Sequence, residues 1–459
     1  MKFLNKFNII NFLVYFYLIF FLFLFSYTFY RAQIIHDGNQ ISYYLKYYLI
    51  FGFTIIVWLA VLFFTNVKIK KITIIIFSSI IFSLYFYETI RYFEKSILNS
   101  SLVKKLYKKK LHQINDKQKT KYEIIEELKL TSSINVVPSI FPKIFLENKF
   151  KNELKIFPLG GVSNATTVFC REGKDFSIYK SDRFGFNNAD NLWDKKKINW
   201  FLVGDSFTQG SCVKQEENFS SQIGYITKEN SISVGMSGNG PLTELASLKE
   251  YALFKKPKNI LWLYFERNDL NDLKKEKFNK ILIKYLENNF SQNLILKQNQ
   301  VDKILFNQIK SAEENLKNNK INNNNNILNF NKIIRLKIVR DKMALDRGLI
   351  FDIDPLFEKI IINAQNLIKK WDGKLYFIYL PDKERYSSKN TKDETYLKKN
   401  HVIEIIENLN IPIIDIHDDF LAKANDPLGF YADRIYGHFS PDGYKKISQF
   451  IVSKIQNIE

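Results

Sequence analysis

Two long stretches without charge near the N-terminus constrain the fold more than any other feature. Residues 7–30 and 47–67 carry no Asp, Glu, Lys or Arg, and each is long enough for an α-helix to cross a bilayer, which takes about 20 residues. A third apolar stretch, 72–87, is shorter and requires Glu88 to lie at the interface. A cleaved signal peptide fits poorly, because the first stretch is too long and a second follows it. We therefore expect a membrane region over residues 1–95 with about three transmembrane helices.

The flanking lysines predict the orientation of these helices. Cytoplasmic flanks are enriched in Lys and Arg, and such residues precede the first stretch and fill the loop before the third, at Lys2, Lys6, Lys68, Lys70 and Lys71. This pattern predicts that everything after the third helix lies outside the cytoplasm, in a multi-pass protein of the bacterial cytoplasmic membrane. The lysines at 104–110 oppose this orientation, but long domains cross largely regardless of such charge. With two helices instead of three, the following domain would be cytoplasmic.

The net charge of +20 does not by itself indicate a nucleic-acid partner. Lysine is scattered over the whole chain, and we find no recognised nucleic-acid motif. The densest basic stretch falls in residues 96–135, which we interpret as a charged helical connector beside the membrane. It is either a solvated spacer or a contact for anionic lipid headgroups. We expect the lipid bilayer, and no nucleic acid, as a partner.

The remaining chain shows the pattern of an α/β protein. Residues 136–197 are mixed and turn-rich, and we interpret them as an arm or subdomain that packs on the domain at 198–459. In that domain apolar stretches predict strands at 198–203, 231–234, 259–265, 374–380 and 412–416, with helices at 216–229, 242–254, 356–371, 394–409 and after Pro441. Such alternation predicts a parallel sheet with helices on both faces. An Asn- and Lys-rich insertion at 273–350 interrupts it, either as a mobile lid or as a surface insertion.

Polar and glycine-rich blocks follow the predicted strands at the edge where parallel sheets bind ligands. Gly204-Asp205-Ser206 follows the first strand, and a glycine-rich turn, 235–241, follows the second. The block 266–270 includes Asn268 and follows the third strand, and His438 lies in 436–444, before the last helix. A serine at a sharp turn with a distant histidine is the pattern of nucleophilic catalysis.

These four blocks, in this order, resemble those of the SGNH/GDSL hydrolase family. The resemblance covers residues 198–459 and implies a flavodoxin-like, three-layer α/β/α fold shared by esterases, deacetylases, lipases and acyltransferases. It implies that Ser206 is the nucleophile and His438 the base that removes its proton. It also implies an oxyanion hole made by the backbone N–H groups of Ser206 and Gly238 and the side-chain amide of Asn268. Gly235 and Gly240 are alternatives to Gly238.

The acid of the triad departs from the family pattern. The family places it three residues before the histidine, and that position is Ile435. Asp433 is the closest carboxylate upstream, so we expect either Asp433 to orient the imidazole or a Ser–His dyad whose ring is held by a backbone carbonyl. Asp442 is expected to start the last helix. Asp205 is expected to hold the turn that presents Ser206.

The chain has two cysteines, Cys170 and Cys212. In an exported domain they could form a disulfide that ties the arm beside the active-site loop, and the alternative is two buried thiols. No Cys/His spacing indicates a metal site, so we expect neither metal nor cofactor.

Together these features predict a membrane-anchored serine hydrolase, either an esterase or deacetylase or an O-acyltransferase. Its expected substrates are ester-bearing glycans, lipids or small molecules, an expectation that follows from the exported location and from the family resemblance. The alternative is a catalytically inactive, membrane-tethered module for glycan binding or assembly, which the missing acid at position 435 favours.

Overall fold

The chain divides into two units, and each is described by itself. The computed structural model describes residues 9–35, 41–98, 119–131, 135–146, 154–319, 333–343, 345, 353–387, 396 and 398–458. The first unit comprises residues 1–117 and 324–351, and the second comprises 118–323 and 352–459. The insertion therefore leaves the second unit, enters the first and returns. Most of the predicted connector and the asparagine run at 322–326 lie outside the described residues.

The secondary structure follows the predicted alternation. The α-helices are α1 (Ile9–Phe29), α2 (Ile41–Phe64), α3 (Val67–Leu98), α4 (Lys121–Thr131), α5 (Ser206–Gln209), α6 (Phe219–Thr227), α7 (Pro241–Ser247), α8 (Leu253–Lys255), α9 (Asp269–Glu276), α10 (Gln298–Asn319), α11 (Lys337–Lys342), α12 (Leu356–Lys369), α13 (Glu384–Ser387), α14 (Lys399–Asn408) and α15 (Pro441–Ile458). The β-strands are β1 (Val136–Pro138), β2 (Thr166–Val168), β3 (Ile178–Lys180), β4 (Trp200–Gly204), β5 (Ser231–Ser233), β6 (Asn259–Phe265), β7 (Lys374–Leu380) and β8 (Ile413–Asp415). A π-helical turn, Leu248–Ala252, joins α7 to α8.

The first unit contains three helices that are long and apolar enough to cross a membrane. The candidate spans are Ile9–Ile34, Tyr43–Phe64 and Val67–Glu94, so the prediction of three apolar helices is confirmed. The third is longer than the sequence indicated, because the helix continues past the charged residues after position 87.

Glu88 makes a contact that the sequence did not predict. Its side chain is buried, and the two carboxylate oxygens accept hydrogen bonds from the backbone N–H groups of Ile338 and Val339 at 2.9 Å each. These groups belong to the first turn of α11, where backbone N–H groups have no partner within the helix. Part of the insertion thus packs on the transmembrane helices within the first unit.

The second unit is built on a five-stranded parallel sheet in the order β5-β4-β6-β7-β8. In chain order this is 2-1-3-4-5, the arrangement of flavodoxin-like folds. Strands β4 and β6 are buried along their whole length, as parallel strands covered on both faces are. The strand order reverses between β4 and β6, which places the ligand-binding crevice beside the end of β4.

Alternate side chains of each strand enter two separate cores. Phe201, Val203 and Trp262 face the core that includes α7, α12 and α14. Trp200 and Leu202 face the core that includes α6 and α15. Because successive side chains of a strand point to opposite faces, this division produces the predicted three-layer α/β/α architecture.

The arm and the first half of the insertion belong to the same core. Phe157 and Phe186 of the arm, and Leu282, Tyr285 and Val301 of the insertion, are buried with the side chains of the first core. The expectation of a surface insertion or lid is therefore wrong for this half.

A buried carboxylate anchors the first half of the insertion. Glu250 accepts hydrogen bonds from the Tyr285 hydroxyl and from the backbone N–H groups of Gln292 and Leu294. A segment that donates several hydrogen bonds to a buried carboxyl group is bound to the core by more than apolar contact.

Candidate active site

The turn after β4 presents Ser206 at the crevice. Asp205 caps the short helix α5 and accepts a hydrogen bond from the Phe207 N–H at 3.0 Å, which confirms the expected structural contact of this residue. Gly204 has φ +156°, and a Cβ there would lie 2.1 Å from the Thr208 hydroxyl oxygen. Only glycine fits between β4 and α5, so the backbone turns sharply and leaves the Ser206 side chain partly exposed.

The structure brings Ser206 and His438 together across 232 residues of sequence. The serine Oγ lies 3.0 Å from His438 Nε2, a hydrogen-bond distance for a nucleophile and its base. The Phe207 ring packs against the imidazole with a centroid distance of 4.9 Å. The Tyr444 hydroxyl in turn donates to the Phe207 carbonyl at 3.2 Å, so α15 supports the packing.

Glu172 of the arm is the carboxylate that contacts His438. Its Oε1 lies 2.7 Å from His438 Nδ1, and its Oε2 accepts from the His438 backbone N–H at 3.1 Å. Burial would raise the pKa of the Glu172 carboxyl, but the hydrogen bond and charge of His438 outweigh it and lower the pKa below its ordinary value. The ionised carboxylate therefore faces the nitrogen opposite the one that contacts the serine.

The predicted pairing of Asp433 with His438 does not occur, and among the described residues the His438 ring nitrogens contact Glu172 and Ser206 rather than a backbone carbonyl. Asp433 lies in a left-handed turn with φ 46°, and its carboxylate points toward Gly173, where an added Cβ would lie 3.3 Å from Oδ2. Glu172 rather than Asp433 contacts His438 Nδ1. Asp442 starts α15 as expected and pairs with Lys446 at 2.8 Å.

Glu172 lies on the loop of a hairpin, beside the disulfide. Strands β2 and β3 pair antiparallel. The hairpin continues beyond them, because the Ser177 N–H donates to the Cys170 carbonyl and the Phe169 N–H donates to the Ser177 carbonyl. Cys170 is joined to Cys212, so the cysteines are not free thiols. The Cys212 sulfur lies within 4.8 Å of ligand atoms of both Glu172 and His438, but in the disulfide it offers no thiolate to a metal ion.

Existing hydrogen bonds distinguish the three glycines considered for the oxyanion hole. The Gly235 N–H donates to Ser233 Oγ at 3.3 Å, and the Gly240 N–H donates to Glu276 Oε1 at 2.7 Å. Within the part of the chain that the structure describes, no hydrogen bond engages the N–H of Gly238. Gly238 has φ +77°, which glycine adopts without strain. The geometry therefore favours Gly238 as the backbone donor.

The arm also covers this turn. Lys143 lies in a 3₁₀ turn, Pro142–Leu146, and its Cδ would lie 2.6 Å from a Cβ added to Gly238. Its ammonium group pairs with the buried Asp272 at 2.7 Å. Asp272 also accepts from the Asn268 side-chain amide at 3.1 Å, so the carboxylate orients the amide that the resemblance assigns to the oxyanion hole.

Buried carboxylates lie beside this region. Asp205, Glu244, Asp269 and Glu276 are fully buried. Burial raises the pKa of all four carboxyl groups, and repulsion from neighbouring carboxylates adds to it at Glu244 and Asp269; for Glu276 the value is about 7. Raised pKa values favour the neutral forms, which limits the negative field against an oxyanion formed nearby.

Comparisons with known proteins add a fold likeness. No family model and no curated protein sequence matches the chain. Solved structures that resemble it include a lipolytic protein of the G-D-S-L family from Desulfitobacterium hafniense DCB-2, with 12% identity over 56% of this chain and 98% of that one and a TM-score of 0.30. Another is the acetyl xylan esterase AlAXEase, with 15% identity over 56% of this chain and 100% of that one and a TM-score of 0.31. Both TM-scores are low, and the predicted SGNH/GDSL-type fold is supported by the sheet order and by the blocks at its carboxyl edge.

Proposed function

We propose that the chain is a membrane-anchored SGNH/GDSL-type serine esterase with Ser206 as nucleophile, His438 as general base and Glu172 as the acid that orients the base. The observation that supports it most strongly is the continuous contact from Glu172 through both nitrogens of His438 to Ser206 Oγ. A serine hydroxyl is a poor nucleophile until an adjacent base accepts its proton, and this chain of contacts provides that base.

The proposed reaction forms and then breaks an acyl-enzyme. Ser206 Oγ attacks the ester carbonyl while its proton passes to His438 Nε2, and the Glu172 carboxylate stabilises the imidazolium through Nδ1. The tetrahedral oxyanion is held by the N–H groups of Ser206 and Gly238 and by the Asn268 amide. His438 then protonates the departing alkoxide, and an incoming hydroxyl releases the acyl group by the reverse steps. Water as the acceptor makes the enzyme an esterase, and a sugar hydroxyl makes it an O-acyltransferase.

We propose that the catalytic unit faces the outside of the cytoplasmic membrane and acts on O-acyl groups of cell-envelope glycans or lipids. Three candidate spans and cytoplasmic lysine flanks support this orientation. The Cys170–Cys212 disulfide supports it independently, because disulfides persist in oxidising compartments. A topology reporter fused after Glu459 should signal outside the cytoplasm, and a cytoplasmic signal would contradict the proposed orientation and substrates.

Labelling with a fluorophosphonate probe tests the nucleophile. The full-length chain in detergent should be labelled, and Ser206→Ala should not, because the probe phosphonylates an activated serine. Equal labelling of both proteins would show that Ser206 is not the nucleophile.

The missing acid at position 435 had favoured an inactive binding module. The contact of Glu172 with His438 supplies a carboxylate and therefore favours an active enzyme. We therefore expect turnover of p-nitrophenyl acetate by the full-length chain, with loss of turnover in His438→Ala. Wild-type protein that labels poorly and turns over no faster than His438→Ala would favour the inactive module.

A further inference from the structure

The disulfide and the candidate acid occupy the same hairpin loop. Cys170 and Glu172 are two residues apart, and the loop extends beyond the last paired residues of β2 and β3. Cys212 lies six residues after Ser206, on the loop that follows α5. The disulfide is therefore a covalent connection between the segment that carries the acid and the segment that carries the nucleophile.

Other contacts of the loop attach it to different parts of the molecule. Arg171 donates to the Lys119 carbonyl at 3.0 Å and packs on the Phe176 ring, so it does not reach the nucleophile. Glu172 itself is held to His438 by two hydrogen bonds. These are the contacts that the proposed catalysis requires the loop to maintain. A carboxylate on a loop satisfies them reliably only if the loop is restrained, because catalytic groups must be held to within about 0.5 Å of their productive positions.

We propose that the Cys170–Cys212 disulfide is a redox-sensitive positioning element that holds Glu172 against His438. The inference rests on the proposed function, because it assigns the disulfide a role in the action of the Ser206–His438–Glu172 triad. Two-electron reduction by a thiol or phosphine breaks the S–S bond, yields two thiols and releases the hairpin loop from the nucleophile loop. The enzyme is then fully active only where the disulfide persists, which matches an exported catalytic unit.

A double-mutant cycle with the acid tests the positioning role. The proteins are the full-length wild type, Glu172→Gln, the pair Cys170→Ala/Cys212→Ala and the triple variant, assayed in detergent with p-nitrophenyl acetate. Both cysteines are replaced, because a lone Cys212 thiol would lie within 4.8 Å of His438 and could act as a second nucleophile.

The cysteine pair variant should lose about 10- to 100-fold in kcat with KM changed by less than about 3-fold, since misplacing a catalytic group by about 1 Å costs up to about 100-fold. The kcat of the triple variant should be within about 3-fold of the kcat of Glu172→Gln, because the residue that the disulfide positions is already disabled. Multiplied losses in the triple variant, or a cysteine variant as active as the wild type, would overturn the inference.

Reduction of the folded wild type covers the case in which the cysteine variant does not fold. Phosphine treatment should lower kcat by the same factor, and reoxidation should restore it, while alkylation of a separate aliquot counts the opened disulfides. Full activity of the reduced protein, with two thiols per chain counted in the alkylated aliquot and with turnover still abolished by Ser206→Ala, would overturn the inference. A Glu172→Gln variant with wild-type kcat would instead overturn the proposed acid and with it the role of the disulfide. Absence of Ser206 labelling in the wild type would overturn the proposed function as a whole.

Discussion

The carboxyl edge of the sheet and the arm contribute different parts of the candidate active site. Ser206, Gly238 and Asn268 follow strands that are buried and hydrogen-bonded along their length, and His438 precedes α15, which packs on the same sheet. Glu172 and Lys143 lie in the arm, on a hairpin loop and a 3₁₀ turn. The edge positions its groups through the sheet, whereas the arm positions Glu172 and Lys143 through a disulfide and ion pairs. The difference shows that one site can combine groups held by a rigid scaffold with groups held by local contacts.

Removing the proposed base, His438, should have the largest effect on kcat. It tests the contribution of the carboxyl edge of the sheet. His438→Ala should lower kcat by about 10⁴-fold or more, because triad residues act as a unit and the loss of one disables the others. Stopped-time assays with p-nitrophenyl acetate measure this loss. A variant with more than a tenth of wild-type activity would show that Ser206 is activated by another group.

Replacing the proposed acid, Glu172, tests the contribution of the arm. The comparison is with Asp433, the closest carboxylate upstream of His438 in the sequence. Glu172→Gln should lower kcat by about 10²- to 10⁴-fold, as expected for the loss of a group that supports general-base catalysis. Asp433→Asn is the matched control and should stay within about 3-fold of wild type, since its carboxylate faces Gly173. A larger loss in Asp433→Asn than in Glu172→Gln would restore the assignment made from the sequence.

Lys143 tests whether the arm also supports the oxyanion hole. Lys143→Met leaves the buried Asp272 beside Asn268 without its closest cation, at 2.7 Å, and should lower kcat by about 10-fold with little change in KM. Lys275→Met removes a more distant cation, at 3.6 Å and largely exposed, and should change kcat by less than about 2-fold. Equal effects of the two variants would show that Lys143 does not position the Asn268 amide through Asp272.

The smallest expected effect is on stability at acid pH. The folded state lowers the pKa of Glu172 from 4.5, so its contribution to stability is fully present above that value. The contribution is lost as pH falls from 4.5 through the lower folded pKa. The difference in melting temperature between wild type and Glu172→Gln should therefore shrink as pH decreases through this window. A difference that grows toward acid pH would contradict ionisation of Glu172 in the folded state.

The sequence predicted the central sheet well and the acid poorly. The bounds predicted for β6 and β7 are those observed, because buried strands between helices have a strong local pattern. Ser206 and His438 could be paired because each lies in a recognisable block at the same edge. Glu172 lies 266 residues before His438 in a turn-rich segment without a motif. The one available signal was Cys170, since a disulfide to Cys212 would have brought Glu172 near Ser206.

The insertion and the proposed oxyanion glycine also differ in what local sequence predicts and what tertiary contacts decide. Leu282 and Tyr285 are buried, although the lysine- and asparagine-rich composition around them indicated a surface segment. Composition averages over residues, and a few apolar side chains are enough to join a core. The resemblance indicated Gly238 as the donor and left Gly235 and Gly240 as alternatives, and hydrogen bonds in the structure engage the N–H groups of Gly235 and Gly240. Whether a backbone N–H group is already hydrogen-bonded depends on its partners in the folded chain, which local sequence does not predict.

The sequence by itself predicted three apolar helices and a parallel α/β domain, because both depend on local hydrophobic pattern. The resemblance carried by its four blocks indicated that Ser206 and His438 belong to one site. The tertiary structure decided that Glu172 supplies the carboxylate, that a disulfide ties its loop to the nucleophile loop, and that Lys143 covers Gly238. These contacts join segments far apart in the chain, and the energy of packing them together has no signature in either segment alone.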